Sequence, residues 1–451
     1  MSAHDRTLVL PAEVISFVFD SFTLDELFVL LSVCARWREI ALNHPTYWSD
    51  IWLYDTPKLG ALLLWLLRVQ RTYGRVFSVT VDILEAWDPI LTDVAPTIAA
   101  HLDQISHLKI SVHHTFAVSF LHALALPAPN LEFFAFHVVT SSLRTSDDTI
   151  IGTFTGTVPQ NLFQGHAPNL IGIDILSMHY DSDLPLPAFA AVKSVRLAVE
   201  HPPWDLPDIF RLFPSMKFLK LQLSPALCHP SFRDPKSWAR IEGVTFGIAI
   251  GSLYEGILTL PLAQVEVVSI NRADINLCHF LLDHLHGNLY IHIIPKPSCP
   301  SDEGQFMVLI EDADSHLKRI LMDEWRVWED DKYYNLRHDL YYRDDIASRI
   351  VMLVVGARHW SRASRLLLPL PNVLDLCVVF DPLSAGGMPK EGSIYAPKLA
   401  CLFLNGGGIQ HYVTPYGLAE FCRICLPHSG NPLYIPMAGV CILPGCSTEF
   451  K

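Results

Sequence analysis

Residues 170–175 read LIGIDI, and residues 192–197, 216–221, 241–246 and 265–270 read VKSVRL, MKFLKL, IEGVTF and VEVVSI. Each hexad is apolar at its first, fourth and sixth positions. In a half-apolar chain a single hit means little, because three chosen positions are all apolar about one time in eight. The spacing carries the reading. From Leu170 to Val265 the steps are 22, 24, 25 and 24 residues. A fixed period of that size predicts one strand plus a helical return in every unit.

Working outward, the same pattern occurs at Val76-Val79-Val81, Ile105-Leu108-Ile110 and Leu131-Phe134-Phe136. It returns at Leu317-Ile320-Met322, Ile350-Leu353-Val355, Val373-Leu376-Val378 and Leu399-Leu402-Leu404. The lead-ins repeat as well: Ala128-Pro129-Asn130-Leu131, Ala167-Pro168-Asn169-Leu170, Ala396-Pro397-Lys398-Leu399 and Pro371-Asn372-Val373. Helix-like pieces lie between, at 116–126, 207–213, 276–286 and 417–425. One such unit cannot bury its own apolar face, but stacked units can. The expected fold class is therefore α/β, with parallel strands and helical returns over residues 76–451. The array resembles degenerate leucine-rich repeats of the kind that follow an F-box in fungal proteins. It departs from that family three residues after the last strand position, where Asn is common and this chain has Val139, Met178, Glu200, Ser224, Ala249, Ala273, Asp381 and Gly407. Other groups must then satisfy the turns. Two packed α/β domains without a continuous solenoid are the alternative.

Ahead of the array, residues 10–53 carry three short amphipathic segments. Pro11 suits a first helical turn. Val14, Ile15, Val18, Phe19 and Phe22 form one stripe at helical spacing. Thr23 with Glu26 reads as a capping box. Leu27, Leu30 and Leu31 make the second stripe, and Val33, Trp37, Ile40 and Ala41 the third. His44 before Pro45 disfavours helix, and Trp48 and Ile51 add apolar mass beyond it. The order Leu-Pro-x-Glu-Val at 10–14, then Leu27 and Leu30, then Val33-Cys34-x-x-Trp37-Arg38, then Trp48 resembles an F-box. The resemblance implies a head at residues 8–54 that docks on a Skp1-type adaptor, and through it on a cullin. The adaptor-facing residues it implies are Leu10, Pro11, Ile15, Leu27, Leu30 and Val33. Trp37 and Trp48 are expected to hold the helices together. Residues 55–75 are read as a linking segment, with a helix over 59–71 that is apolar enough to be covered on most sides.

Composition bounds the rest. The 451 residues are half apolar and 18% charged, with a formal charge of −13, which describes a folded chain. The first 75 residues are near neutral, so the array carries −12. An acidic chain is poorly suited to phosphate backbones, so no nucleic-acid partner is expected. The apolar run 61–67 is too short to cross a bilayer, which takes about 20 residues, so no membrane partner is expected. The opening MSAHDRTLVL lacks the pattern of a secretory leader. Ten scattered Cys then read as reduced core thiols in the cytoplasm or nucleus.

No catalytic constellation emerges. Gly-x-Ser-x-Gly is missing, and Gly406-Gly407-Gly408 lacks the Lys-Ser/Thr of a phosphate loop. Cys422, Cys425, Cys441 and Cys446, with His428, have the residue types of a zinc site, but Cys422 and Cys425 sit on a helix-like return, where core thiols are expected. No metal or cofactor is expected. The 44 residues 302–345 stand apart, with thirteen Asp/Glu, six Lys/Arg and six Trp/Tyr. Trp328, Glu329, Asp330 and Asp331 are the candidate substrate contacts there, and a basic segment of a protein substrate is the expected partner. The expected function, following the resemblance, is the non-catalytic substrate-recognition subunit of a Skp1–cullin–F-box ubiquitin ligase. A protein-interaction scaffold with no ligase role is the alternative.

Overall fold

The computed structural model describes residues 10–22, 24–54, 59–70, 72, 74–139, 144–145, 148–149, 156–176, 178–180, 185–199, 208–223, 230–247, 253–271, 275–295, 305–324, 344–367, 369–380, 387–408, 410–427 and 432–442. The fold is α/β, with a large, mostly parallel sheet of sixteen strands counted over two compact units, residues 1–219 and 220–451. Among the described residues, no helix is long and apolar enough to cross a membrane.

The first unit opens with helices α1 (Ala12–Phe19), α2 (Leu24–Leu30), α3 (Ala35–Asn43) and α4 (Pro45–Ser49). Their core is Ile15, Phe19, Leu27 and Ala41, with Phe22, Leu30, Leu31, Trp37 and Ile40 packed against it. The Phe19 and Trp37 rings meet edge to face at 5.5 Å. Pro11 is the N-cap of α1 and Cys34 that of α3, its Sγ accepting from the Trp37 amide at 3.5 Å. His44 is extended, and α4 starts at Pro45, as the restriction before proline requires. The Trp48 indole ties α4 to α3 by donating to the Leu42 carbonyl at 2.7 Å. Thr23, the expected partner of Glu26 in a capping box, lies outside the described residues.

Two expectations for this region change. Ile51 belongs to a strand, β1 (Asp50–Tyr54), which pairs in parallel with β2 (Phe77–Ile83). The helix α5 (Leu59–Gln70) buries Leu62, Trp65 and Val69 but leaves Leu63, Leu64 and Leu67 exposed. A run of leucines has too little polar contrast to reveal which side faces water, so the covering expected on most sides is absent.

From β2 the unit proceeds by parallel pairing to β3 (Ile105–His113), β4 (Phe133–Val139), Gly172–Leu176 and Ser194–Val199. Parallel strands need a crossover. Here the crossovers are short helices such as α6 (Ala95–Ala100) and α7 (His114–Ala123), and single 3-10 turns such as Pro187–Phe189. Alternate strand residues fill the core: Val79, Val81, Leu108, Ile110, Phe134, Phe136, Ile173 and Ile175 are all buried. Phe163 reaches its edge-to-face contact with Phe134, 5.1 Å between centroids, from a left-handed backbone with φ 53°. That backbone costs about 1–2 kcal/mol; Phe163 itself is fully buried.

The turns are satisfied at the leading ends of the strands, by the repeated lead-in residues. Asn130 donates to the Asp103 carbonyl at 2.5 Å and Asn169 to that of Pro129 at 2.8 Å. Ser215 does the same to Ala190 at 2.7 Å. In the second unit Asn372 donates to Ser348 at 2.6 Å, Gln264 to Pro235 at 2.8 Å, and Lys398 to the Asn372 side chain at 2.8 Å. These lead-ins are thereby bonded to the chain ahead of the preceding strand, in place of an asparagine after the strand.

In the second unit Gly243–Phe246 pairs in parallel with Val267–Asn271, and that strand with Lys318–Glu324. All-parallel order then fails, correcting the expectation of parallel strands throughout. Gln305–Asp312 runs antiparallel to both Lys318–Glu324 and Leu289–Pro295. Parallel order resumes through Ile350–Gly356, Asp375–Val379, Cys401–Asn405 and Met437–Ala438. The cause is the short connection at residues 313–317. A five-residue turn can close a hairpin but cannot carry a crossover. Asp312 shapes it by accepting from the amides of Asp314 at 3.0 Å and Ser315 at 3.1 Å. The buried Arg319 clamps the neighbouring lead-in, donating to the carbonyls of Val265 at 3.1 Å and Leu262 at 3.3 Å.

Candidate functional site

The head's surface is the first candidate. On α1, the residues facing inward are Ile15 and Phe19. Val14, Phe17 and Val18 recur at i, i+3 and i+4 on the other side, and Leu10 lies four residues ahead of Val14. All four are exposed, Phe17 to 76%. Val29 on α2 and Val33 just after it are exposed too. An apolar face of this kind has no core to join within the head. The chain entering α1 is held down at its start, because the Arg36 guanidinium donates to the Leu10 carbonyl. Arg38 holds the α2–α3 turn by donating to the Leu31 carbonyl at 2.8 Å.

Of the six residues expected at the adaptor-facing surface, Leu10, Pro11 and Val33 are exposed and Leu30 is half-buried. Ile15 and Leu27 are 3% and 0% exposed and belong to the helical core. Their periodicity marked an apolar side of each helix, but not whether that side turns inward or outward. The exposed apolar residues that the sequence reading did not single out for that surface are Val14, Phe17, Val18 and Val29. The signal was the excess of apolar residues on α1, more than one buried stripe can use.

The candidate substrate contacts Trp328, Glu329, Asp330 and Asp331 lie outside the described residues. Another polar cluster stands on the sheet of the first unit. Asp174 is buried, with its Oδ2 3.0 Å from Nη1 of Arg196 and 3.2 Å from Nε2 of His137. Asp174 and Arg196 hold the same place in successive repeats, Ile173-Asp174-Ile175 and Val195-Arg196-Leu197, and face each other in the pairing register. That coincidence of opposite charges at one repeat position was the legible signal. The Asp174 carboxylate thus stands between a guanidinium and an imidazole, whose side chains are both partly exposed.

The cysteines show no metal geometry: among the described residues no group of three His, Cys, Asp or Glu side chains is placed to hold an ion. Cys446 and His428 lie outside the described residues. Cys425 is buried on the helix Pro415–Cys425, its thiol directed at the Pro389 carbonyl at 3.6 Å. Burial pushes the thiols of Cys425 and Cys377 up to about 11. The glycine run after Cys401–Asn405 is a turn. Gly407, at φ 59°, donates to the Asn405 side chain at 3.0 Å, and a β-carbon there would stand 2.5 Å from the Phe380 carbonyl.

No family model matches this chain, and no curated protein matches it.

Proposed function

We propose that this chain is the substrate-recognition subunit of a Skp1–cullin–F-box type ubiquitin ligase. Its helical head engages the adaptor and its repeat array holds a protein substrate. The observation that carries the reading is the row of exposed apolar side chains on α1, Leu10, Val14, Phe17 and Val18, with Val29 and Val33 beyond. Exposed contiguous apolar surface marks a docking face, and this face belongs to the stretch whose sequence resembles an F-box. Such a subunit makes and breaks no bonds. Holding the substrate beside a charged conjugating enzyme raises the effective concentration of the reacting lysine.

The test is affinity purification of the full chain with neddylation and the proteasome blocked, from cells carrying the wild type, Leu10→Ala with Pro11→Ala, or Val14→Asp with Phe17→Asp. Both double variants lose Skp1 and cullin, while a third protein accumulates only on the wild type. Undiminished Skp1 recovery by both variants overturns the assignment. Recovery of adaptor without any accumulating third protein supports instead an interaction scaffold with no ligase role.

A further inference from the structure

Beside the head, α3, α4 and α5 line an open cleft of about 450 Å³, a size ordinary for small-molecule sites. One wall is apolar: Trp48, with Leu64 and Leu67 from the side of α5 that the core leaves uncovered. Arg68 lines the same cleft and is 6% exposed. Its guanidinium donates to the Tyr47 carbonyl and, at 2.9 Å, to that of Asp50, and it lies 4.9 Å from the centre of the Tyr47 ring. Among the described residues no carboxylate stands within ion-pair distance of it, and its buried Nε–H has no acceptor.

A buried charge is ordinarily paired, because carbonyl dipoles and a ring face replace only part of its lost hydration. Burial accordingly pushes the Arg68 guanidinium down from its usual value, against the opposing influence of Tyr47 and Asp50. Arg75 is also in the lining, exposed and without an ion pair among the described residues. Glu39 is the acid of the set. The lining itself holds two guanidinium groups and one carboxylate, with the Asp50 carboxylate acting on Arg68 from outside it; a bare phosphate has no apolar body for the wall of Leu64, Leu67 and Trp48.

We propose that this cleft binds a small amphiphilic carboxylate, its apolar body against Leu64, Leu67 and Trp48 and its carboxylate toward Arg68 and Arg75. The inference is independent of the adaptor reading of the head. The test is calorimetric titration of the full chain with 2-naphthoate, with neutral 2-naphthalenemethanol, and with inorganic phosphate. Naphthoate is expected to bind with a dissociation constant on the order of 10⁻⁵ M, the alcohol at least about tenfold more weakly, since a charge-assisted bidentate contact is lost, and phosphate not detectably. Leu64→Trp, which fills the cleft from an exposed position, abolishes naphthoate binding with the melting temperature unchanged. Arg75→Gln weakens it about tenfold. Equal affinity for acid and alcohol, undiminished binding by Leu64→Trp, or no naphthoate heat at millimolar concentration overturns the proposal.

Discussion

The amide nitrogen of Gly287 lies 2.7 Å from Oδ2 of Asp312, and a β-carbon on Gly287 would stand 2.5 Å from Oδ1 of the same carboxylate. Asp312 is buried and also accepts from the amides of His286, Asp314 and Ser315. Burial alone would raise its pKa. The four backbone donors outweigh burial and hold it at about 2, against an ordinary 3.8. A depressed carboxylate stabilises the fold fully above its unfolded value and loses that contribution as pH falls through the folded one. The shift corresponds to about 2 kcal/mol. Asp312→Ala is expected to destabilise the second unit by about 2–4 kcal/mol at neutral pH, since four buried amides lose their acceptor. Urea melts of variant and wild type at descending pH check the sign: their difference shrinks below about pH 4 and is smallest near pH 2. A difference constant with pH would contradict the ionised role.

Gly287→Ala is expected to be nearly as harmful as removing the carboxylate. The added methyl group would sit against the oxygens of both Asp312 and Asp314. The outcome to measure is the denaturation midpoint, and a shift of less than about 0.5 kcal/mol equivalent would mean that the turn yields freely.

Core and surface on the head can be separated by mutation. Leu27→Ala and Ile15→Ala remove buried side chains and are expected to cost about 2–5 kcal/mol each. Phe17→Asp alters an exposed position and leaves the melt within about 0.5 kcal/mol of wild type. Circular dichroism melts of the full chain decide this. A large loss on Phe17→Asp would place that ring in a packed contact.

The lead-in ladder has its own signature. Asn169→Ala leaves the Pro129 carbonyl without its donor and is expected to cost about 1 kcal/mol. Asn169→Asp should cost more, because a carboxylate oxygen then meets a carbonyl oxygen. Equal midpoints for the two variants would show that water replaces the bond at no cost.

The buried thiols should be inert. With a pKa near 11 for Cys377 and Cys425, only about one thiol in a thousand is ionised at pH 8, and the thiolate is the reacting form. Native alkylation at that pH, read by mass spectrometry, is expected to label the less buried Cys34 and Cys441 well before these two.

All twelve copies of the apolar-x-x-apolar-x-apolar pattern fall on or lead into strands, and in most the spacing follows from alternating burial plus a buried residue leading in; Val76 leads in exposed, and on Lys318–Glu324 the buried residues are Arg319 and Leu321 instead of Ile320. Met216-Leu219-Leu221 on Phe218–Leu223 is typical. What escaped were strands whose cue is different. Asp50–Tyr54 looked like the end of a helical head, since Ile51 and Leu53 alternate over too few residues to stand out. Gln305–Asp312 forms a hairpin with Lys318–Glu324 that depends on the polar turn 313–317 and not on the repeat, and Leu289–Pro295 pairs antiparallel with its other edge. On the head, periodicity identified the apolar residues but not their direction. Whether Ile15 or Phe17 points to water depends on where α2 and α3 pack, which is non-local. Arg68 was unremarked because a lone cation in an apolar helix reads as solvated until its neighbours are known.

The bonds between lead-ins all lie where strands begin, and that places the molecule's tolerance for insertions at the other end. From the start of Ile105–His113 to that of Phe133–Val139 is 28 residues, the next step is 39, and the one after is 22. Strand spacing survives such unequal lengths because each unit is located by its leading end, so extra chain can be accommodated after a strand without moving its neighbour. Grafted loops or reporter peptides therefore belong at trailing ends, such as the segment after Val139, where a change in length leaves the Asn130 and Asn169 bonds untouched.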